Sequence, residues 1–280
     1  MKKGIVDVGG GMKCAFSSGL YDYLLDSGIM ITKAYGISAG ASNLVTYISR
    51  QRGRTLRYYT IYPKRKEYMG LSHFIKEGSF LNLSYIYRTL SNRGCEDPFD
   101  FDTFFSSPID AEYVATNALT GKAEYFPKSA LKDNDMRILE ASATLPVLNK
   151  PTVFEGTPYF DGGLSDPIPY KRAFEDGMDK VVVVLTRNRH LPRKRSKDAL
   201  PSWILKRSYP ESAEALSMRA DVYNSEIDGM AEYEKEGKLL CVYPETTEGI
   251  TTTKFKVENI MKLYEAGYEK GPLVASFLKG

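Results

Sequence analysis

The chain has 280 residues, 42% of them hydrophobic and 26% charged, a balance that fits a folded globular protein and excludes a disordered one. A net charge of +3 is too mild to argue for nucleic acid as a partner, although it would not oppose an anionic surface. Cys14, Cys95 and Cys241 lie far apart, as free thiols in a reducing compartment would, with no disulfide or zinc spacing. The start Met1-Lys2-Lys3 is followed by Asp7 and Lys13 without a signal-peptide apolar core, and no uninterrupted apolar run is long enough to span a bilayer. A cytoplasmic location is expected.

Gly4 to Val8 reads as a short buried strand ended by Gly9-Gly10-Gly11. A helix is predicted from Lys13 to about Asp26, with Phe16, Leu20, Tyr23 and Leu24 on one face and Gly28 past its end. Ile31 to Gly36 is a second strand, and Ala39 to Arg50 a second helix. This strand–helix–strand–helix opening predicts an α/β fold, with a mostly parallel central sheet covered by helices on both faces. Residues of about 52–108 differ, being rich in tyrosine, phenylalanine and basic residues. They read either as a cap over a pocket or as ordinary amphipathic helices on the core. Regular structure resumes with hairpins at Glu112–Phe126 and Thr152–Phe160 and helices at Arg137–Thr144 and Pro167–Asp176. The near-continuous valine run Lys180–Leu185 predicts a strand buried on both faces. A long helix over Ser212–Glu236, a strand over Leu239–Tyr243 and a last helix from Val257 complete the chain.

Three short motifs can carry chemistry. Gly36-Ile37-Ser38-Ala39-Gly40 is a G-x-S-x-G sequence at a strand-to-helix junction, the setting of an exposed nucleophile on a sharp turn. A helix N-cap serine is the bland alternative. Gly9-Gly10-Gly11 could aim backbone N–H groups at an oxyanion or at a phosphate. Its continuation through Lys13 to Cys14 nearly matches a dinucleotide fingerprint, but the second strand runs into the Ser38 turn and not into an acidic ribose ligand. A serine nucleophile needs a base, and the chain has only two histidines, His73 and His190. That scarcity directs attention to a carboxylate. Phe160-Asp161-Gly162-Gly163 follows a short apolar strand. An aspartate there would serve as base if a dry pocket raised its pKa. An ordinary Asp-Gly turn is the alternative.

Together the three motifs resemble the patatin-like phospholipase family, in which a glycine-rich G-G-G-x-R/K-G loop, a G-x-S-x-G and a D-G-G or D-G-A follow one another in this order. Ala141-Ser142-Ala143-Thr144-Leu145-Pro146, Asp166-Pro167-Ile168-Pro169 and Tyr264-Glu265-Ala266-Gly267-Tyr268 also resemble stretches of bacterial members. The resemblance implies a single patatin-like domain over 1–280, with an aromatic-rich cap at about 52–108. It implies hydrolysis of acyl-lipid esters by a Ser38–Asp161 dyad without histidine, and an oxyanion hole around Gly9, Gly10 and Gly11. Gly36, Gly40, Gly162 and Gly163 would shape the two turns. Lys13 matches a basic position of the family and would either brace the loop or meet a lipid phosphate. Cys14 departs from the pattern, standing where the family usually has glycine. The expected partner is a lipid or acyl-ester substrate, with no nucleic acid, cofactor or metal.

Arg187, Arg189, Arg193, Lys194, Arg195 and Lys197 precede Trp203-Ile204-Leu205. Such a combination suits peripheral contact with an anionic membrane, and equally a solvated loop before a helix. Two other functions compete with the Ser–Asp hydrolase: a Ser–His–Asp esterase using His190, and a non-catalytic phosphate or nucleotide binder on the glycine loop.

Overall fold

A computed structural model describes residues 1–70, 73–75 and 78–280. In chain order, β1 (Lys3–Asp7) leads through a 3-10 turn into α1 (Ala15–Asp26), and β2 (Lys33–Ile37) into α2 (Ala39–Ile48). The 52–108 stretch contains α3 (Arg54–Thr60), a π-helical turn (Tyr85–Leu90) and α4 (Phe101–Ser106). Residues 71, 72, 76 and 77 of that stretch lie outside the described residues. Then follow β3 (Asp110–Asn117), β4 (Ala123–Pro127), α5 (Arg137–Ser142), β5 (Thr152–Phe154), β6 (Thr157–Asp161), α6 (Tyr170–Glu175) and β7 (Lys180–Val184). The remainder is α7 (Ser196–Leu205), α8 (Pro210–Lys235), β8 (Leu239–Val242), α9 (Val257–Glu269) and α10 (Gly271–Lys279).

The strands form one 8-stranded sheet in the order β5-β6-β3-β2-β1-β7-β8, with β4 paired to β3 off this path. β3, β2, β1, β7 and β8 pair in parallel, while β4 and β6 pair antiparallel with β3, and β5 pairs antiparallel with β6. The four valines of β7 are fully buried, since β1 and β8 flank its edges and helices cover its faces. Parallel strands end at the same side of the sheet, so the connections after β1, β2, β7 and β8 converge there.

The pairing of β3 places the chemistry. Ala115 and Thr116 pair with β4 and with β6 at once, so those two strands occupy opposite edges of β3. β2 pairs with Asp110 to Val114, and β4 also covers Glu112 to Val114. β2 therefore shares its edge of β3 with β6. The two strands point at each other along that edge, Ile37 ending opposite Val114 and Asp161 opposite Ala115. Ser38 and the Asp161 turn meet at the gap between them.

The C-terminal part closes over the first helix. A Cβ on Gly19 would fall 1.9 Å from the Tyr264 carbonyl oxygen, and one on Gly267 would fall 1.8 Å from that of Phe16. α1 and α9 thus cross backbone against backbone, which only glycine allows. Tyr264 then donates to Asp22 at 2.7 Å and Tyr268 to Asp26 at 2.9 Å.

The predicted elements largely match, with three differences, the first being that the single last helix expected from Val257 divides into α9 and α10 around Lys270. The helix expected over Pro167–Asp176 is confined to Tyr170–Glu175, because Pro169 disfavours helical backbone at Ile168 before it. The basic loop before Trp203 becomes helix from Ser196, even though Pro201 lies inside it.

Candidate active site

Ser38 follows β2 with φ 55° and ψ −134°, a backbone conformation costly for a residue with a side chain, by about 1–3 kcal/mol. Three neighbours hold it there. Its N–H donates to the Ser142 hydroxyl at 2.9 Å, and that hydroxyl donates onward to the Val114 carbonyl at 2.7 Å. The Ser38 carbonyl accepts from Ala41 N at 3.1 Å as α2 begins. The flanking glycines are required by close approach: a Cβ on Gly36 would fall 2.5 Å from Ala41 Cα, and one on Gly40 would fall 2.5 Å from Asp7 Oδ1.

Asp161 ends β6 at 7% exposure, beside Ser38 at 8%. Its Oδ1 accepts from Gly163 N at 2.8 Å. Burial pushes its carboxyl from the ordinary 3.8 up to about 6, against the lowering effects of the nearby Ser38 hydroxyl, the Gly163 N–H and the Arg193 charge. Gly162 passes so close to β3 that a Cβ would fall 2.2 Å from the Val114 carbonyl oxygen.

The glycine loop lies against the same serine. A Cβ on Gly9 would fall 2.7 Å from Ser38 Cβ, and Gly9, Gly10 and Gly11 all have positive φ. Asp7, fully buried, accepts from Gly9 N at 3.2 Å and from the Tyr21 hydroxyl at 3.0 Å. Burial raises its pKa to about 6. Thr186, after β7, donates to the Gly9 carbonyl. Cys14 causes no distortion: at φ −70° and ψ 0° it has ordinary right-handed geometry, which needs no glycine. Its side chain is buried in the main core.

Ser38, Asp161, Gly9, Gly10, Gly11, Lys13 and Gly163 line one cavity of about 720 Å³, a size suited to a small organic ligand. Part of its wall is apolar, with contributions from Tyr58, Tyr59, Leu83, Ile86, Tyr87 and Leu139. Most of these come from the aromatic 52–108 stretch. His190 is oriented by Tyr243, its Nε2 lying 3.2 Å from that hydroxyl. His73 is half-buried within the aromatic stretch.

Sequence reasoning did not single out Asp7 or Ser142, which support the glycine loop and the serine amide. A buried aspartate inside the apolar run of β1 was the available signal for the first. Asp166 and Glu226 were missed as a pair. Burial, and then the neighbouring Asp166 carboxylate, push Glu226 far above the usual carboxylate range.

Fold and site together define an α/β protein with a serine at a sharp strand-to-helix turn, a buried aspartate beside it and a glycine loop against both. The family model "Patatin-like phospholipase" matches residues 8–174, and the chain belongs to that family of lipid acyl hydrolases. A second model, "Domain of unknown function (DUF6363)", matches residues 209–272. The Escherichia coli (strain K12) "Uncharacterized protein YjjU" is 28% identical over 187 residues, 65% of this chain and 51% of the relative. The chain thus spans about half the length of that curated relative. Among solved structures, VipD from Legionella pneumophila aligns with 98% of this chain and 67% of its own, at 14% identity and a TM-score of 0.48. No helix among the described residues is long and apolar enough to cross a membrane.

Proposed function

We propose that the protein is a lipid acyl hydrolase in which Ser38 is the nucleophile and Asp161 its only base. The observation that carries this reading is the head-on approach of β2 and β6 along one edge of β3, which sets a serine hydroxyl against a buried carboxylate. Ser38 Oγ attacks the ester carbonyl carbon while its proton passes to Asp161. Charge developing on the carbonyl oxygen is met by N–H groups of the glycine loop. Gly9 N–H already serves Asp7, so Gly10 and Gly11 are the donors directed at substrate, and Gly9 allows the loop to reach Ser38. Asp161 then returns the proton to the leaving alcohol, which departs and leaves an acyl ester on Ser38. Water, losing a proton to Asp161, attacks that ester, and Asp161 returns the proton to Ser38 Oγ as the acyl–oxygen bond breaks and the acid departs.

The raised pKa makes the base useful. A carboxylate titrating near 6 takes a proton more readily than an ordinary aspartate, yet remains ionised at neutral pH. Turnover should therefore fall as pH drops through about 6. The apolar part of the cavity wall suits an acyl chain. The orientation of His190 towards Tyr243 favours the carboxylate base over a histidine. Hydrolysis of an ester panel graded by chain length tests the reading. Ser38→Ala should lose turnover on every ester while keeping its fold, and retention of a tenth or more of wild-type turnover would overturn it. Peripheral contact with an anionic membrane belongs to the same proposal: Leu200, Trp203 and Ile204 of α7 are exposed, Trp203 by 74%.

A further inference from the structure

Cations also line the cavity. Lys13 comes from the glycine loop, Arg187 and Arg193 from the connection after β7, Lys197 from the first turn of α7, and Arg219 from α8. They are close enough to feel one another. Burial lowers the Lys13 pKa, and the charges of Arg187, Lys197 and Arg193 lower it further. Burial likewise lowers that of Arg193. Gathering like charges in a half-buried space is unfavourable unless an anion offsets them.

The chain supplies little such offset. One carboxylate oxygen of Asp198 lies 3.9 Å from Nε of both Arg193 and Arg219, beyond hydrogen-bond distance. Arg219 Nε is buried with no hydrogen-bond partner among the described residues. Glu245 and Glu248 also line the cavity but are exposed. Other members of the same basic run are treated differently: Arg189 forms a two-pronged pair with Glu234, and Arg195 pairs with Asp221.

α8 holds the uncompensated group in place. Asn224 accepts from Arg193 N at 2.8 Å and donates to its carbonyl at 3.0 Å. The guanidinium groups of Arg187 and Arg193 lie 5.8 and 5.5 Å from the centre of the Tyr223 ring, in cation–π range. Arg193 is also near enough to Asp161 to lower its pKa.

We infer that the 209–272 segment builds an anion subsite of the cavity, in which Arg219, with Arg187 and Arg193 held by α8, receives a phosphate group of the acyl-ester substrate. This rests on the acyl-hydrolase reading and adds the residues that direct substrate choice. In a glycerophospholipid only a few bonds separate the phosphate from an acyl ester, so one molecule can present phosphate to the cations, carbonyl to Ser38 and chain to the aromatic wall.

The test compares 1-oleoyl-glycerol 3-phosphate with 1-oleoyl-glycerol, which share the acyl ester and differ by the phosphate. Wild type should favour the phosphate-bearing ester in kcat/KM by about tenfold or more, the worth of a charge-assisted hydrogen bond. Arg219→Gln should remove most of that preference, chiefly through KM, and Arg219→Lys should retain part of it. Should Arg219→Gln fail to fold, Arg187→Gln makes the same test from the connection. Free inorganic phosphate competing as strongly as the lipid phosphate would identify a subsite for phosphate ions and overturn the substrate assignment. Equal wild-type rates on both esters, or variants that slow both by one factor, would likewise overturn it. If wild type hydrolyses neither ester and takes no fluorophosphonate label, the hydrolase reading fails. Equilibrium dialysis of the same two compounds then decides the subsite: preferential binding of the phosphate compound, lost in Arg219→Gln, upholds it, and equal binding refutes it.

Discussion

Asp161→Asn changes the charge at the centre of the site with almost no change of shape, and its effect on stability can be worked out. Burial lifts the carboxyl from 3.8 to about 6, and a rise of that size is worth about 3 kcal/mol. A folded-state pKa above the unfolded one means that the fold favours the protonated form. The associated stability is complete below about pH 4 and is lost as pH rises through about 6. At pH 8 the native protein therefore carries a buried charge at a cost of about 3 kcal/mol, and asparagine removes it while keeping an oxygen for Gly163 N–H. Asp161→Asn should be more stable than wild type by up to about 3 kcal/mol at pH 8, with the gain fading towards pH 4. It should also lose turnover. Urea unfolding at pH 8, 6 and 4 measures this, provided that the denaturant slope is unchanged. Equal stability at pH 8, or a gain just as large at pH 4, would refute the reasoning.

Ser142→Ala removes the hydroxyl that joins Ser38 N–H to the Val114 carbonyl, leaving buried polar groups without partners. It should cost about 1–3 kcal/mol in thermal or urea unfolding and lower kcat on a soluble ester. The His73→Ala/His190→Ala double variant should keep most of its turnover in the same assay, and loss on changing His190 alone in a folded protein would favour a histidine base. Trp203→Ala should weaken co-sedimentation with anionic vesicles, and added salt should weaken it further, since exposed charges are screened over about 8 Å at physiological ionic strength.

Much of this site was legible because its motifs are local. A glycine run, a G-x-S-x-G and an Asp-Gly-Gly each state a backbone requirement, and the close approaches at Gly36, Gly40 and Gly162 give the reason for each. The valine run of β7 was equally plain, because burial on both faces removes alternation. What joins the motifs was not legible. Sharing of one β3 edge by β2 and β6 depends on pairings distant in sequence, which no local pattern encodes. Ser142 was visible only as part of a stretch resembling the family, because its two hydrogen bonds run to β2 and β3. Arg219 lies in a long, mostly polar helix and reads there as a surface residue until the fold turns it towards the cavity. The basic run from 187 to 197 looked uniform in sequence. In the fold it divides into arginines paired with carboxylates and arginines facing the site.

The central claim is that Ser38 is the activated nucleophile and that Asp161 activates it. Fluorophosphonate labelling followed by peptide mass mapping tests it most directly, because the reagent reacts with a serine only where a base and an oxyanion site assist. The account predicts one adduct, on the Ser38 peptide, forming at the wild-type rate in the histidine double variant and far more slowly in Asp161→Asn. An adduct on another residue, or labelling of Ser38 at the wild-type rate in Asp161→Asn, would contradict it.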